Sequence, residues 1–190
     1  MIPFNYPNDP VEGFEHLELG FPWIVVESAE KLNEELKETD IVLEFGSGGS
    51  TIFFAERCKL VKSVETSKEW YDEVLHKIVS KGIANVPYKL FEKEEEINGY
   101  AAMGIHKEVS VISVDTQGGY NRSAILNAFL ENGVSENLRM IVLDNYGHEG
   151  LFPDHYDKEN FMGDDWEVFT YNHERWAGFG TRIYIKKQKV

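Results

Sequence analysis

A glycine-rich turn between an apolar run and a helical pattern constrains the fold of this chain more than any other feature. Residues 41–45 (IVLEF) predict a buried strand, residues 46–49 (GSGG) predict a turn, and a helix is predicted to begin near Ser50. Glycine allows a tight turn and lets a ligand approach the backbone closely. The free amides at the start of a helix favour a bound anion. This segment therefore predicts a strand, a turn and a helix with a ligand lying against the turn.

The same alternation of strands and helices continues along the chain. Ser28 and Ser67 are predicted to cap two helices, and a further helix is predicted over residues 121–132. The strands predicted after residue 45 are 60–65, 86–91, 109–114, 139–143, 166–171 and 181–186. Strands that alternate with helices pair in parallel through right-handed crossovers. The last two strands have no helix between them, so they are predicted to be antiparallel to one another.

Length and composition predict that residues 1–190 form a single domain. The chain has 190 residues, of which 42% are hydrophobic, and this is enough for a sizeable core. Residues 1–27 are rich in proline, glycine and aromatic side chains, and they predict an irregular N-terminal arm. Residues 146–165 are polar and rich in histidine and aspartate, and they predict a loop over the substrate side of the sheet.

An acidic residue stands at or next to the end of four predicted strands. These residues are Glu44, Glu65, Asp115 and Asp144. In open α/β sheets, ligands bind outside the carboxyl ends of the central strands, so the four carboxylates are predicted to line a polar crevice. Glu65 follows Gly46 by 19 residues. This is close to the spacing of about 20 residues at which an acid accepts hydrogen bonds from ribose hydroxyls.

From about Ser28 to Tyr146 the chain resembles the class I S-adenosylmethionine-dependent methyltransferases. Residues 44–50 (EFGSGGS) are similar to the first motif of that family, an acid followed by Gly-x-Gly-x-Gly, with Ser50 in place of the third glycine. Glu65 matches the ribose-binding acid of the second motif. The resemblance implies a three-layer α/β Rossmann-like fold, with a mostly parallel seven-stranded sheet and an antiparallel C-terminal strand. It also implies a methyltransferase that binds S-adenosylmethionine and releases S-adenosylhomocysteine.

The resemblance further implies that adenosine lies near Glu65 and that the methionine end lies along the glycine turn. The residues predicted to contact the cofactor are Glu44, Gly46, Ser47, Gly48, Ser50, Thr51, Glu65 and Asp115. Methyl transfer needs a base only where the acceptor must lose a proton. The residues predicted to serve catalysis are Asp115, Asp144 and His148, and His155 is a further candidate base. The alternative for both histidines is a solvated position in a surface loop.

A narrower resemblance concerns a divalent metal. Metal-dependent catechol-type O-methyltransferases bind the ion with an Asp after the fourth strand and an Asp-Asn pair after the fifth, where this chain has Asp115 and Asp144-Asn145. Oxygen ligands of this kind suit magnesium or calcium. The glycine turn, however, departs from the first motif of that subgroup. We therefore favour the alternative that Asp115 contacts the amino group of the cofactor, and no metal ligand is predicted.

The formal net charge of -14 opposes binding to phosphate backbones and to anionic membranes. It predicts a small-molecule methyl acceptor rather than a nucleic acid, and no membrane partner. Cys58 is the single cysteine, which excludes an internal disulfide. The first residues also lack the basic and apolar regions of a signal peptide. These features together predict a cytoplasmic location.

Two other functions stay open on the sequence. A nicotinamide-dependent oxidoreductase would carry Gly-x-Gly-x-x-Gly, whereas Thr51 stands where its third glycine belongs. A catalytically silent domain that serves as a binding or interaction module is also compatible with these patterns, because a fold does not determine a function. Binding of NADH would favour the first alternative, and the lack of an acceptor pocket would favour the second.

Overall fold

A central β-sheet with helices on both faces forms the protein, as seen in a computed structural model that describes residues 13–103, 106–116, 120–133, 135–155, 158, 160–172 and 180–188. The strands are β1 (Ile41–Phe45), β2 (Leu60–Glu65), β3 (Tyr88–Leu90), β4 (Val111–Val114), β5 (Met140–Asp144), β6 (Trp166–Asn172) and β7 (Gly180–Lys186). The helices are α1 (Gly13–Leu19), α2 (Val26–Glu35), α3 (Gly49–Ala55), α4 (Lys68–Ser80), α5 (Glu94–Ala101) and α6 (Arg122–Ala128), and a π-helical turn, Phe129–Gly133, continues α6.

The sheet places five parallel strands next to an antiparallel C-terminal pair. Its order is β3-β2-β1-β4-β5-β7-β6, and β7 lies antiparallel between β5 and β6. The direction in which successive strands are added reverses between β1 and β4, and ligands of open α/β sheets bind at such a point, outside the carboxyl ends of the strands. The predicted fold class, a Rossmann-like α/β fold with a mostly parallel seven-stranded sheet, is confirmed.

Alternate residues of the parallel strands bury apolar side chains on opposite faces of the sheet. On one face, Leu43 of β1 packs in a core with Ile97 of α5 and Ile125 of α6. On the other face, Val42 of β1 packs in a second core with Leu32 of α2 and Phe53 of α3. A strand buried on both faces reads as a continuous apolar run, which is why residues 41–45 predict their strand so clearly. Helices cover both faces and form the predicted three layers.

The two predicted helix caps have different outcomes. Ser67 caps α4 as predicted, because its hydroxyl accepts a hydrogen bond from the amide of Trp70 at 3.3 Å. The prediction that Ser28 is a cap is wrong. Ser28 lies inside α2, which begins at Val26, and its hydroxyl donates to the carbonyl oxygen of Val25. In the first turn of α2, the serine hydroxyl thus donates to a backbone carbonyl group and does not accept a hydrogen bond from a free amide.

The predicted irregular arm is wrong for the residues that form α1 and the start of α2. Leu17 of α1 is buried with Ile52 of α3 and Val74 of α4. This packing stabilises a helix of 7 residues, which is too short to be stable in isolation. Composition alone does not predict such a helix. Residues 1–12 of the arm lie outside the described residues.

Part of the segment after β5 is buried, although its polar sequence predicts an exposed loop. Phe152 is fully buried, and the amide of Arg122 donates to the carbonyl oxygen of Leu151 at 3.0 Å. The segment therefore packs on the start of α6. Its position over the substrate side stays a prediction, and residues 156, 157 and 159 of the loop lie outside the described residues.

The turn after β1 sets how closely β1 and β4 approach each other. Gly46 has a φ of 94°, in the left-handed region that favours glycine. A Cβ atom at Gly46 would lie 2.0 Å from the carbonyl oxygen of Asp115. At Gly48, in contrast, a Cβ atom would meet nothing nearer than the Trp70 ring, at 3.7 Å. The approach of the two strand ends therefore requires glycine at position 46 and does not require it at position 48.

We expect the substitution Gly46→Ala to lower the free energy of unfolding by about 3 kcal/mol or more, because the added methyl group collides with backbone atoms. Gly48→Ala is the matched control. It should lower the free energy of unfolding by at most about 1 kcal/mol, since alanine is only a poorer N-cap than glycine. Urea denaturation followed by circular dichroism measures both values. Equal losses in the two variants would contradict the role given to Gly46.

Candidate functional site

Glu65, at the carboxyl end of β2, binds two turns of the chain at once. Its side chain is 2% exposed. Oε1 accepts hydrogen bonds from the amides of Thr66 at 2.7 Å and Ser67 at 2.9 Å, and from the Thr66 hydroxyl at 3.3 Å. Oε2 accepts from the amide of Ser47 at 2.9 Å and from its hydroxyl at 2.6 Å. The predicted ribose-binding acid thus faces the glycine turn, and groups of the protein fill its acceptor positions.

Aromatic residues of α4 and β3 enclose Ser47. The Tyr88 hydroxyl lies 2.6 Å from Ser47 Oγ, and Trp70 Nε1 donates to the Ser47 carbonyl oxygen at 2.7 Å. Tyr71 stacks on Tyr88 with ring centroids 4.3 Å apart. Burial raises the pKa of the Tyr88 hydroxyl, which therefore remains neutral. In the sequence, the helical spacing of Trp70 from Val74 and Ile78 predicts only core packing, and no pattern predicts that Tyr88 reaches the turn.

Glu44 joins β1 to α3 from a fully buried position. Its carboxylate accepts hydrogen bonds from the hydroxyls of Ser50 at 2.6 Å, Thr51 at 2.7 Å and Ser63 at 2.5 Å. Burial raises the pKa of Glu44 to about 7, and the three hydrogen bonds oppose that rise. The structure thus brings the predicted residues Glu44, Ser50 and Thr51 together, bonded to one another. Their contacts with a cofactor stay predictions.

Arg122, the first residue of α6, joins the carboxyl ends of β4 and β5. Its side chain is 4% exposed, and Nη2 lies 3.0 Å from Asp115 Oδ1. Nη2 also donates to the carbonyl oxygen of Thr116, and Nη1 donates to the carbonyl oxygen of Asp144 at 2.7 Å. Nothing in the sequence alone assigns a role to Arg122. The sequence signal for this internal ion pair is an arginine at the first position of the helix that follows a strand ending in aspartate.

Asp115 and Asp144 bind protons with different affinities. Asp144 is 8% exposed and accepts a hydrogen bond from the Thr181 hydroxyl at 2.9 Å. Burial, together with the negative charge of Asp115, raises the pKa of Asp144 to about 8. Asp115 lies in a recess that leaves 36% of its side chain exposed. Burial in the recess raises the pKa of Asp115 to about 6, against the effect of the Arg122 guanidinium. Both carboxyl groups therefore hold a proton more tightly than an exposed aspartate does, and the Arg122 guanidinium favours the ionised form of Asp115.

These residues do not fit a divalent metal. Magnesium and calcium need six or more oxygen ligands, whereas the cation beside Asp115 is the guanidinium of Arg122, which has donors only. Asp144 is bonded to Thr181 instead. In the part of the chain that the structure describes, no group of three or more His, Cys, Asp and Glu side chains is arranged to hold a metal ion. The donor set thus disagrees with the catechol-type resemblance.

The two candidate histidines lie in different surroundings. His148 is exposed in a turn, where its amide donates to the carbonyl oxygen of Asn145 at 3.1 Å. His155 is 7% exposed, with Nδ1 2.9 Å from Ser123 Oγ and its ring packed on Phe161. Burial lowers the pKa of His155, so it is neutral at pH 7. His155 is thus a packed residue rather than a solvated one, and the catalytic role of His148 stays a prediction.

Thr116 places an unsatisfied polar atom beside the recess of Asp115. Its Oγ1 is buried, and it has no hydrogen-bond partner among the residues described. The amide of Thr116 would lie 2.8 Å from a Cβ atom at Gly46, so Thr116 adjoins the glycine turn. A buried hydroxyl without a partner costs free energy. A ligand that binds against the turn and supplies such a partner would be stabilised here.

Comparison with protein-family models gives no match, and comparison with curated proteins gives none either. Solved structures do match. TomG, an O-methyltransferase of Streptomyces achromogenes solved with S-adenosylmethionine, has a TM-score of 0.62 and 16% identity, over 93% of this chain and 87% of its own. A Streptococcus mutans protein solved with S-adenosylhomocysteine has a TM-score of 0.61 and 15% identity, over 85% and 96%. An rRNA methylase of Streptococcus thermophilus has a TM-score of 0.55 and 17% identity, over 85% and 95%.

At these identities the matches establish the fold alone, which this chain shares with proteins solved with S-adenosylmethionine and with S-adenosylhomocysteine. They also correct the expectation about partners. The prediction that net charge disfavours a nucleic-acid acceptor is wrong, because proteins of this fold include an rRNA methylase. The fold therefore gives no reason to restrict the acceptor to small molecules. Among the described helices, none has the length and apolar character needed to cross a membrane.

We expect Glu44 to make the protein less stable as the pH rises from about 5 to 8. The pKa of Glu44 is about 7 in the folded chain, against an ordinary value of 4.5. The folded chain therefore binds this proton more tightly, and the resulting stability is complete below the ordinary pKa and lost as the pH rises through 7. The difference corresponds to roughly 3 kcal/mol.

The substitution Glu44→Gln removes this ionisation, so the slope of unfolding free energy against pH should become shallower. Glu69→Gln, at an exposed position of α4, is the matched control and should keep the wild-type slope. Urea denaturation at several pH values measures both slopes. A wild-type slope in Glu44→Gln would show that burial does not shift this carboxyl group.

We expect Mn²⁺ to find no site at Asp115 and Asp144 with a dissociation constant below about 1 mM, the weak end of protein cation sites. The reason is that the Arg122 guanidinium already lies against Asp115. Titration of the protein into Mn²⁺, followed by electron paramagnetic resonance, measures the free ion. Tight binding that disappears in Asp115→Asn would restore the metal-dependent interpretation.

Proposed function

We propose that this chain is an S-adenosylmethionine-dependent methyltransferase. The observation that carries the proposal is the position of Glu65, whose buried carboxylate lies at the carboxyl end of β2 and faces the glycine turn at 2.6–2.9 Å through Ser47. Proteins that share this fold have been solved with S-adenosylmethionine and with S-adenosylhomocysteine. The combination of fold, turn and acid supports a nucleoside-binding crevice between β1 and β4.

The residues around the crevice fit such a cofactor by their chemistry. Glu65 offers a carboxylate suited to hydroxyl donors, and Thr116 offers a buried hydroxyl that has no partner in the described structure. Asp115 supplies a partly exposed carboxylate suited to an ammonium group or to a protic acceptor. Gly48 leaves space beside the turn up to the Trp70 ring. We therefore assign the cofactor to the surface formed by Gly46–Gly48, Glu65 and Asp115.

When bound, S-adenosylmethionine supplies a methyl group activated by its positive sulfur. The acceptor forms the new bond with its own electron pair, the pair of the broken bond returns to sulfur, and a protic acceptor loses a proton. Asp115 is the described acid best suited to take that proton, because its side chain is partly exposed and the adjacent Arg122 guanidinium favours its ionised form. Burial raises the pKa of Asp144, and its carboxyl group accepts a hydrogen bond from the Thr181 hydroxyl, so Asp144 positions the end of β5.

The class of methyl acceptor has to be identified by experiment, because the net charge of the chain does not decide it. The matches to this fold include both an O-methyltransferase and an rRNA methylase. We therefore propose that acceptor screens include structured RNA together with hydroxyl- and amine-bearing small molecules. Transfer of radiolabelled methyl groups to each pool, with and without Asp115→Asn, would identify the acceptor and test the proposed base.

We expect S-adenosylhomocysteine to bind the protein with micromolar affinity and Glu65→Gln to weaken that binding by about 30-fold, the loss of a hydrogen bond to a charged group. Isothermal titration calorimetry measures both, with NADH titrated in parallel. Glu69→Gln removes one negative charge from the exposed surface of α4 and should leave the affinity unchanged. Failure of well-folded protein to bind either S-adenosylhomocysteine or S-adenosylmethionine would overturn the proposal, and binding of NADH instead would favour an oxidoreductase.

A further inference from the structure

The acceptor positions of the Glu65 carboxylate are fully used within the protein. A carboxylate has about four lone-pair positions, and Glu65 receives five hydrogen bonds. The bonds from Thr66 and Ser67 come from the turn that directly follows β2. The bonds to Oε2 come from Ser47 of the glycine turn, a different element. A ligand hydroxyl can therefore bind Glu65 only by displacing a donor, and Ser47 is the donor that can move away.

The Ser47 hydroxyl is held on Glu65 from the opposite side. It donates to Glu65 Oε2 at 2.6 Å, so the Tyr88 hydroxyl, also at 2.6 Å, must be the donor in the bond between Tyr88 and Ser47. Burial raises the pKa of Tyr88 and keeps that proton in place. This chain of hydroxyls runs from β3 through the turn to β2. It stabilises the turn in contact with Glu65.

The backbone of Ser47 is fixed as well. The indole nitrogen of Trp70 donates to the Ser47 carbonyl oxygen at 2.7 Å. The same ring lies 3.7 Å from the position of a Cβ atom at Gly48. Trp70 and Tyr88 thus contact the turn from α4 and β3, and Tyr71 stacks behind Tyr88. We call Ser47, Glu65, Trp70 and Tyr88 the serine clasp.

We propose that Ser47 is a positioning residue that competes with the cofactor for Glu65, so that the ribose hydroxyls bind by replacing the Ser47 hydroxyl and opening the serine clasp. This inference rests on the proposed function. Adjacent hydroxyls of a ribose restore the hydrogen bonds that Oε2 loses, whereas a ligand without them leaves a buried carboxylate unsatisfied. The clasp therefore makes the site selective for ligands with a ribose diol.

The clasp lowers the apparent affinity for the cofactor. Where only a fraction of molecules has the open turn, the apparent dissociation constant equals the intrinsic constant divided by that fraction. Ser47→Ala keeps the backbone amide on Glu65 and removes the competing hydroxyl. We expect this variant to bind S-adenosylhomocysteine about tenfold more tightly, equivalent to about 1.4 kcal/mol. Tyr88→Phe removes only the bond that supports Ser47, so it should tighten binding by a smaller factor, about threefold.

Isothermal titration calorimetry with S-adenosylhomocysteine tests the inference on wild type, Ser47→Ala, Tyr88→Phe and the control Ser80→Ala. Ser80 lies at the exposed end of α4, where its hydroxyl donates to the Lys77 carbonyl oxygen. Tighter binding in Ser47→Ala and Tyr88→Phe, with Ser80→Ala equal to wild type, supports the inference. Unchanged or weaker binding in both variants overturns it and leaves the proposed function standing. If only Ser47→Ala binds the ligand, the result supports the inference and the proposed function. If none of the proteins binds it, the result overturns the inference and the proposed function.

A second measurement monitors the opening of the serine clasp directly and does not depend on the binding affinity. The indole N–H of Trp70, assigned in a nitrogen-15 spectrum by comparison with Trp70→Phe, should be protected from exchange in the free protein by its bond to Ser47. Addition of S-adenosylhomocysteine should shift this signal and speed its exchange as the turn moves away from Glu65. An unchanged indole signal at saturating ligand would show that the cofactor binds with the clasp closed, which contradicts the inference.

Discussion

The contact between Gly46 and the backbone of Asp115 is the constraint on which the candidate site depends. Because residue 46 has no Cβ atom, the turn after β1 reaches the end of β4, where a side chain would collide at 2.0 Å. The Gly46 amide donates to Val64 at 2.9 Å, and the Asp115 amide donates to Phe45 at 2.7 Å. These bonds fix the turn between β2 and β4. Glu65 therefore lies on one side of the turn and Asp115 on the other.

From this arrangement, four acids that look equivalent in the sequence acquire different roles. Glu44 is fully buried among hydroxyls and joins β1 to α3. Glu65 holds the turn, and the partly exposed carboxylate of Asp115 lies beside the buried guanidinium of Arg122. Asp144 is buried, and burial together with the charge of Asp115 raises its pKa. Burial and neighbouring donors, rather than residue type, decide which carboxylate is available to a ligand.

The sequence predicts those features that depend on local patterns. Periodicity and spacing predict the strands at 41–45 and 60–65, the Ser67 cap and the approach of Glu65 to the glycine turn. The sequence does not predict α1, whose stability comes from packing of Leu17 on distant helices. Nor does it predict the contact of Tyr88 with Ser47, 41 residues away. Such contacts depend on how strands pair in the sheet, which periodicity does not encode.

The wrong prediction about nucleic acids has a physical origin in the same acids. The formal net charge of -14 counts every carboxylate as ionised, yet the pKa of Glu44 is raised to about 7 and that of Asp144 to about 8. The charge of Asp115 is opposed by Arg122 at 3.0 Å. The carboxyl ends of β1, β4 and β5 are therefore less negative than the sequence implies. Since an acceptor meets the local field of exposed groups rather than the total charge, composition does not decide whether it carries phosphates.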